Sequence, residues 1–466
     1  MNRASGFSRR SFLKFLGAGA VTLAIPNCVN ANRQTDGKPN FVIVFTDDQG
    51  YQDVGCFGSP SIKTPNLDKM AAEGMRFTDF YSAASICSPS RASLMTGCYP
   101  PRVGITKVLF PNDNIGLNPE ELTIADILRQ QGYATACIGK WHLGHLPEFL
   151  PMNNGFDYYF GIPYSNDMDG VKGRNKGLDR AWRLKDYSLW NVPLMRGEYI
   201  IERPAIQTTL IERYTDEAVK FISTNKHKPF FLYLPHTMPH IPLFVSDEFY
   251  DGDVKMAYKV TIEQIDSSVG RVLGALKDAG VDKNTLVVFT SDNGPWLSMK
   301  HHGGCALPLR DGKFSTYEGG MREPCIMRWP AKIPAGTVCD EVCGTIDLLP
   351  TFAKLAGAEI PADRVIDGKD ILLLMQGRPD AGSPHEAYFY YNGNNLQAVR
   401  SGKWKLRRAE NNIELYDLEA DIGEKINLAD KHPEIAKKLS DVMEQFDSEL
   451  KANARPAGRS ANGKTS

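Results

Sequence analysis

The sequence has almost no excess of charge of either sign. Lysine and arginine together number 54, and aspartate and glutamate 55, which gives a formal net charge of −1 over 466 residues. Such a composition does not produce the broad basic surface that attracts nucleic acid or an anionic membrane. We therefore expect no nucleic-acid partner, and any anion site has to be built from locally placed cations.

Cysteine is scarce, and its spacing is not that of a zinc site. The chain contains nine cysteines, and their spacings do not match those of a zinc ribbon. Cys339 and Cys343 are close enough in sequence to form a disulfide, or to be two buried free thiols. The cysteine count therefore predicts no structural zinc.

Long apolar runs are absent after the N-terminus, so we expect no stable membrane span. Residues 8–14 read SRRSFLK, a twin-arginine signature, and the apolar run that follows over residues 15–25 is too short to span a bilayer comfortably. Residues 29–31, VNA, fit a cleavage site. We predict a twin-arginine signal peptide over residues 1–31 and a periplasmic or extracellular location.

Strand and helix signals alternate over residues 40–355, which predicts a layered α/β core. The run FVIVFT at residues 41–46 is almost wholly apolar, as expected of a strand buried on both faces of a sheet. Further strands are predicted over residues 133–138, 230–234 and 285–290. Helices are predicted over residues 122–131, 209–224 and 261–279.

After residue 361 the pattern changes to short strands and one helix. The strands are predicted over residues 386–391, 396–400, 403–407 and 414–418, and the helix over residues 433–450. We predict an α/β catalytic domain over residues 38–360 and a smaller α+β subdomain with an antiparallel sheet over residues 361–452. Residues 453–466 are predicted to form a disordered tail.

Residues 166–204 are polar, aromatic and irregular in pattern. A connection of that length is typical of a binding loop or a lid. Its aromatic and basic residues around Trp182 and Trp190 could contact a sugar or could pack between domains.

Two strand ends carry similar acidic segments, TDDQG and SDNG. The carboxyl ends of neighbouring parallel strands meet at one edge of a sheet, so Asp47, Asp48 and Asp292 should converge there with Asn293. The carboxylates would repel one another unless a cation lay between them. A donor set made only of oxygen favours Ca²⁺ or Mg²⁺ over Zn²⁺. The alternative is that both segments are plain turns.

Basic groups follow other predicted strands. Lys140 and His142 come after one strand, His236 and His240 after another, and Lys313 lies in the segment RDGKFSTYEGG. One such group alone would most often be structural. Several of them at the same edge of the sheet would form an anion pocket beside the cation.

Cys87 lies at the start of a predicted helix. Pro89 suits its first turn, Ser88 the cap before it, and Gly97 its end. The helix dipole and the nearby Arg91 would then lower the pKa of the thiol. The alternative is a buried, inert cysteine.

The segment CSPSR at residues 87–91, followed by TG at residues 96–97, resembles the signature of the type I sulfatases, in which the cysteine is converted to formylglycine. The resemblance covers nearly the whole mature chain in order. Residues 292–324 are most similar to the arylsulfatase A and N-acetylgalactosamine-6-sulfatase branch. The resemblance implies an alkaline-phosphatase-like fold, in which helices sandwich a mixed sheet and a smaller C-terminal domain follows.

The resemblance also implies the site residues. The implied Ca²⁺ ligands are Asp47, Asp48, the modified Cys87, Asp292 and Asn293. The implied catalytic residues are Cys87, Arg91, Lys140, His142, His240 and Lys313. In this scheme His240 protonates the departing alcohol and His142 removes a proton from the formylglycine hydrate. No role is implied for His236.

The expected activity is hydrolysis of a sulfate monoester to an alcohol and inorganic sulfate. The expected substrate is a sulfated saccharide or an aryl sulfate, and a formylglycine-generating enzyme is the expected maturation partner. The alternatives are a phosphodiester or phosphonate hydrolase of the same superfamily, and a non-catalytic binder of sulfated glycans. The sequence predicts no particular oligomeric state.

Overall fold

The computed structural model describes residues 37–173, 177–409 and 412–461. The predicted signal peptide lies outside these residues. The strands in chain order are β1 (Asn40–Thr46), β2 (Met75–Tyr81), β3 (Ile115–Gly116), β4 (Ala134–Ile138), β5 (Tyr158–Gly161), β6 (Leu194–Arg196), β7 (Tyr199–Glu202), β8 (Phe230–Pro235), β9 (Thr285–Ser291), β10 (Arg322–Arg328), β11 (Thr337–Cys339), β12 (Cys343–Gly344), β13 (Tyr388–Asn392), β14 (Asn395–Ser401), β15 (Trp404–Ala409), β16 (Asn412–Asp417) and β17 (Gly458–Arg459). The α-helices are α1 (Pro65–Ala72), α2 (Cys87–Thr96), α3 (Ile124–Gln130), α4 (Leu178–Leu184), α5 (Leu210–Asn225), α6 (Ala257–Asp278), α7 (Glu318–Met321), α8 (Leu348–Ala356), α9 (Leu372–Met375) and α10 (Pro433–Ala452).

The main sheet is mixed. Its strand order is β11-β2-β10-β9-β1-β8-β4-β5-β6-β7, and β12 also pairs with β2. The five central strands of this order, β9, β1, β8, β4 and β5, are parallel to one another. By contrast, β10 is antiparallel to both β9 and β2, and β6 is antiparallel to β5 and β7. The predicted mixed α/β sheet is therefore confirmed.

Strand β1 shows how the sheet builds two cores. Val42 and Val44 pack into one core with residues of α1, α5 and α6. Phe41, Ile43 and Phe45 pack into the other core with residues of α2, α3 and α8. Alternate side chains of a strand point to opposite faces, so an apolar run is needed when helices cover both faces. Each fully buried side chain of this size contributes about 1.5–3 kcal/mol.

The C-terminal part forms a second sheet with the strand order β13-β14-β15-β16, antiparallel throughout. Leu406 and Leu415 of this sheet share one hydrophobic cluster with Leu439 and Met443 of α10 and with Tyr81 of β2. The predicted antiparallel sheet and terminal helix are therefore confirmed. The limits predicted for the two domains stay predictions.

A buried group of charges joins β15 to α7. The Lys405 ammonium lies 2.9 Å from Glu318 Oε1 and 2.8 Å from Glu424 Oε1, and all three side chains are fully buried. Glu424 also accepts a hydrogen bond of 2.7 Å from the backbone N–H of Glu318. Lys405 is thus a shared counter-charge for two carboxylates that water does not reach.

Residues 166–204 are not the irregular connection that was predicted, and of the two alternatives for their tryptophans the structure shows packing. This segment contains α4, and its strands β6 and β7 extend the main sheet. Trp182 and Trp190 are both buried in the hydrophobic core and are not accessible to a ligand at the surface. The Asp179 carboxylate lies 2.9 Å from Nε2 of His302, which ties α4 to the segment after β9. The tryptophans therefore serve packing and not sugar contact.

The tail prediction is also wrong for residues 453–461. Strand β17 pairs with β3 in this segment, and Arg455 donates to Glu121 at 2.7 Å. A charged residue with a buried partner can hold a short polar tail whose composition alone suggests disorder. Residues 462–466 lie outside the described residues.

Cys339 and Cys343 are both free thiols, so of the two alternatives the structure shows the unpaired one.

Within the described ranges, no helix has the length and apolar character needed to cross a membrane.

Candidate active site

The residues predicted to carry chemistry lie at the carboxyl ends of the neighbouring parallel strands β9, β1, β8 and β4. These strands are followed by Asp292 and Asn293, by Asp47 and Asp48, by His240, and by Lys140 and His142, respectively. Asp48 and His142 both adopt positive φ angles, of 64° and 60°. Non-glycine residues in this conformation are uncommon and cluster at functional sites.

The oxygen-bearing side chains are in mutual contact. The backbone N–H of Asp48 donates to Asp292 Oδ1 at 3.1 Å, and Asn293 Nδ2 donates to Asp48 Oδ1 at 2.8 Å. Asn293 Oδ1 is buried and, within the described residues, has no hydrogen-bond partner. A buried acceptor without a partner is costly, which makes this oxygen available to a ligand.

Helix α2 brings Cys87 to the same place. Cys87 is the first residue of the helix, and Gly97 ends it with a φ of 67°. The capping residue is Ile86, not the predicted Ser88, whose Oγ instead accepts a hydrogen bond from the N–H of Leu109 at 3.1 Å. Every residue of α2 is buried, so the helix is a fixed part of the core.

The thiol of Cys87 lies among charged groups. It donates to Asp47 Oδ1 at 3.4 Å, and the Lys313 ammonium lies 3.7 Å from its sulfur. The expected lowering of its pKa is wrong. Burial, and after it the Asp47 carboxylate, raise the pKa of the Cys87 thiol well above its ordinary value, because removal from water disfavours the thiolate.

Arg91 fixes the geometry around this group. Its Nε and NH2 donate to Asp292 Oδ2 at 3.1 and 2.9 Å, and its NH1 donates to the carbonyl of Lys140 at 2.8 Å. NH2 also lies 3.3 Å from Asp47 Oδ2. A planar, fully buried guanidinium with these partners links β9, β1 and β4 rigidly.

Two lysines complete the cationic side of the site. The ammonium of Lys140 donates to Asp47 and, at 3.1 Å, to Ser165 Oγ. The ammonium of Lys313 lies 2.7 Å from the Asp48 carboxylate. Burial alone would lower the pKa of Lys313, but the Asp48 carboxylate, Cys87 and Asp47 together outweigh burial and raise that pKa.

Asp47 shows the reverse balance. Burial alone would raise the pKa of its carboxyl, but Lys140, His240 and Arg91 hold that pKa well below its ordinary value. Asp47 is thus an ionised carboxylate throughout the physiological range.

His240 and His142 are both held by backbone carbonyls. His240 Nδ1 lies 2.6 Å from the carbonyl of Ile241, and its Nε2 lies 3.6 Å from Asp48 Oδ2. His142 Nε2 lies 3.0 Å from the carbonyl of Leu109. A carbonyl only accepts, so each contacting nitrogen carries hydrogen, and the free ring nitrogen is Nε2 in His240 and Nδ1 in His142. Burial lowers the pKa of both rings.

His236 does not belong to this group. Its Nε2 lies 3.2 Å from Ser268 Oγ on α6, and burial lowers its pKa to about 3. A permanently neutral histidine bonded to a helix is a structural residue.

Ser165 is a site residue that the sequence reasoning missed. Its Oγ lies 3.1 Å from the Lys140 ammonium and 3.4 Å from His240 Nδ1, and the side chain is buried. Ser165 follows the carboxyl end of β5, the next parallel strand after β4. Prediction of β5 would have placed this hydroxyl at the same sheet edge.

Two aromatic residues border the site and were also missed. The Lys313 ammonium lies 4.6 Å from the centroid of the Trp296 ring and 5.5 Å from that of Phe314. Phe314 lies within the segment RDGKFSTYEGG selected from the sequence, and Trp296 lies two residues after the segment SDNG. Their positions in and near these segments were the available signal.

The arrangement can hold a cation beside an anion. The ligand atoms of Asp47, Asp48, Cys87 and His240 all lie within 4.8 Å of one another. The predicted catalytic and metal-binding residues are thus brought to one place, and only His236 lies apart from them.

Comparison with known proteins agrees with this geometry. A family model described as "Sulfatase" matches residues 39–358, and one described as "N-sulphoglucosamine sulphohydrolase, C-terminal" matches residues 310–452. The N-acetylgalactosamine-6-sulfatase of Mus musculus is 41% identical over 380 residues, which cover 79% of this chain and 71% of that protein. Arylsulfatase A of Bos taurus is 37% identical over 444 residues, which cover 88% of this chain and 87% of that protein. The crystal structure of Ps i-CgsB in complex with k-i-k-neocarrahexaose aligns with a TM-score of 0.77 at 32% identity, covering 90% of this chain and 95% of that one.

Proposed function

This chain belongs to the sulfatase family and is a sulfuric ester hydrolase, and from that premise we propose that its substrates are sulfated saccharides. The family, its arylsulfatase A and N-acetylgalactosamine-6-sulfatase branch and the alkaline-phosphatase-like fold are all confirmed. The saccharide part is supported by the relative named as an N-acetylgalactosamine-6-sulfatase and by the structural neighbour solved with neocarrahexaose.

The observation that carries the proposal is a set of buried cations beside Cys87. Arg91, Lys140 and Lys313 face an equal number of buried carboxylates. Burial raises the pKa of Asp292 to about 7, and a bound cation would favour its ionised form. With all six groups ionised they carry no net charge among themselves, so a bound divalent cation would make the site positive. A positive, water-excluded pocket stabilises a sulfate ester and the charge that develops on its oxygens during cleavage.

We propose Ca²⁺ as the resident cation, held by Asp47, Asp48, Asp292 and Asn293. These residues fit a hard ion, because they offer only oxygen and because Asn293 Oδ1 is buried without a partner in the described part of the chain. Bound there, Ca²⁺ supplies Lewis-acid stabilisation of negatively charged oxygen.

We propose that a formylglycine-generating enzyme, which supplies the oxidant, converts Cys87 to formylglycine, and that an ionised hydroxyl of the aldehyde hydrate attacks sulfur as the bond from sulfur to the alcohol oxygen breaks. The proposal rests on the complete CSPSR segment and on the position of residue 87 between the Asp47 carboxylate and the Lys313 ammonium.

The other residues have distinct tasks in this proposal. Lys140 and Lys313 bind sulfate oxygens. Arg91 fixes the position of residue 87 relative to Asp292. Burial disfavours the protonated ring of His240, but the Asp48 and Asp47 carboxylates beside it favour that form, and His240 protonated at Nε2 donates the proton that the departing sugar oxygen needs. His142, whose Nδ1 is the free ring nitrogen, accepts a proton when sulfate is released.

The test is release of inorganic sulfate from a panel of sulfated saccharides. Protein co-expressed with a formylglycine-generating enzyme is compared with protein from a host that lacks it, and the mass of the residue 87 peptide is checked in both. We expect release only from the converted protein. Conversion without release from any saccharide would contradict the saccharide proposal. Faster cleavage of phosphodiesters by the same batch would favour the phosphodiester hydrolase alternative.

Removal of the metal provides a separate prediction. Incubation with a calcium chelator should abolish sulfate release and lower the melting temperature, and added Ca²⁺ should restore both. At free Ca²⁺ of 100 times its Kd the bound ion adds about 2.7 kcal/mol of stability. Differential scanning calorimetry of wild type and Asp48→Asn measures the shift, and only wild type should respond to Ca²⁺. Full activity at undetectable metal content would exclude the proposed ion.

The export proposal is independent of the chemistry. We propose that residues 1–31 direct the chain through the twin-arginine route to the periplasm or the cell exterior. N-terminal sequencing of protein from the native host tests it, and a retained N-terminus in cytoplasmic protein would contradict it.

A further inference from the structure

Two aromatic residues lie at the mouth of the site and have no part in the mechanism above. The Lys313 ammonium that contacts Cys87 at 3.7 Å lies 4.6 Å from the centroid of the Trp296 ring and 5.5 Å from that of the Phe314 ring. The Trp296 ring is also 5.9 Å from the ring of His240. These two rings, here called the aromatic pair, therefore lie beside the Lys313 ammonium, which is the group proposed to bind the sulfate.

Phe314 combines a half-exposed ring with a backbone conformation that is uncommon for a bulky residue. It is 49% exposed, and its φ of 74° is in the left-handed region. Its backbone N–H donates to the carbonyl of Ser85, two residues before Cys87, at 3.0 Å. A bulky residue in this region is strained, and glycine would satisfy the same turn at lower cost. An exposed ring in a strained backbone contributes little to stability, so its position has another cause.

Trp296 supports Phe314. The two rings meet edge to face, with centroids 5.4 Å apart and an interplanar angle of 78°. Trp296 is partly buried, so it fixes the direction of the exposed Phe314 ring. The pair is therefore pre-organised, which lowers the entropy cost of binding a ligand.

We propose that the aromatic pair is the binding platform for the pyranose ring that carries the sulfate, and that Phe314 is a specificity-determining residue. The inference rests on the proposed saccharide sulfatase function. A pyranose ring has a face made of C–H groups, which packs on an aromatic ring while its sulfate reaches the Lys313 ammonium next along the chain. Substrates whose sulfated group lacks such a face gain nothing from the pair.

The test is Phe314→Gly, assayed on the saccharide that wild type cleaves best. Since glycine adopts this backbone conformation without strain, the melting temperature should stay the same or rise. We expect kcat/KM for the saccharide to fall about five- to tenfold, mainly through KM, because an aromatic contact is lost. Inhibition by inorganic sulfate should be unchanged, because the sulfate-binding cations stay in place. Phe314→Tyr should keep near wild-type values.

The matched control is Tyr199→Ala, which removes an aromatic ring that is 77% exposed on the edge strand β7. This variant should equal wild type on every substrate. Equal kcat/KM for Phe314→Gly and wild type would overturn the inference, and so would an equal loss of affinity for inorganic sulfate. Failure of wild type to cleave any saccharide would instead refute the proposed function.

Discussion

Replacing Cys87 by alanine should reduce sulfate release from the matured protein by at least about 10⁴-fold, because loss of a nucleophile removes the covalent route entirely. The side chain of Cys87 is buried at the start of α2 and contacts Asp47 and Lys313. Among the described residues, no other cysteine contacts either of these two side chains. Alanine leaves the packing of α2 almost unchanged, so the melting temperature should stay within a few degrees of wild type. Sulfate release measured by ion chromatography, with the melting temperature alongside, provides the test.

Cys87→Ser distinguishes the proposed aldehyde from a simple hydroxyl nucleophile. In a host whose maturation enzyme accepts only cysteine, serine stays unmodified, and activity should be as low as for alanine. Cys56→Ala, which removes a half-buried thiol in another part of the chain, should equal wild type. Wild-type rates for the serine variant, with its unmodified mass confirmed, would refute the formylglycine proposal.

Replacing Lys405 by methionine should destabilise the protein by about 3–5 kcal/mol, because the buried Glu424 carboxylate loses its ion-pair partner, while Glu318 keeps Arg322 and Arg400. Lys405 is fully buried, 2.9 Å from Glu318 and 2.8 Å from Glu424. Methionine has nearly the same length, so the loss is one of charge and hydrogen bonds, not of volume. Urea unfolding of wild type and variant, followed by tryptophan fluorescence and circular dichroism, measures the difference.

Lys403→Met is the matched control. Lys403 lies two residues earlier, with a side chain 41% exposed and paired with Asp417 at 2.6 Å. Because a solvent-exposed pair contributes little, this variant should unfold close to wild type. Equal unfolding midpoints for the two methionine variants would show that the buried charges do not hold the C-terminal sheet in place.

Much of the site was predictable because the ends of buried strands can be recognised in the sequence, where an apolar run gives way to polar residues. Apolar runs identified β1 and β9, and the rule that parallel strands end at one edge brought Asp48 and Asn293 together before any coordinates. The roles of Lys140 and His240 came from the resemblance and not from spacing, since a basic residue after a strand is usually structural.

Other features depended on contacts that a linear pattern does not show. Strands β2 and β10 are buried against each other although their sequences, MRFTDFY and REPCIMR, carry charges. Arg322 and Asp79 account for two of these charges, because they form an ion pair of 2.6 Å inside the structure. The pKa of Cys87 was predicted in the wrong direction, because sequence reveals the helix dipole and Arg91 but not complete burial. Ser165 was missed along with its strand.

The burial of Cys87 limits when a modifying enzyme can reach it. A modifying enzyme has to take the segment around residue 87 into its own active site, which is impossible once α2 is packed. The partner that locks α2 in place, Asp292, is 201 residues further along the chain from Arg91. At about 5–20 residues per second, synthesis of that stretch takes roughly 10–40 s. Under the proposed maturation, conversion of Cys87 would therefore compete with translation, and the yield of active enzyme would depend on which is faster.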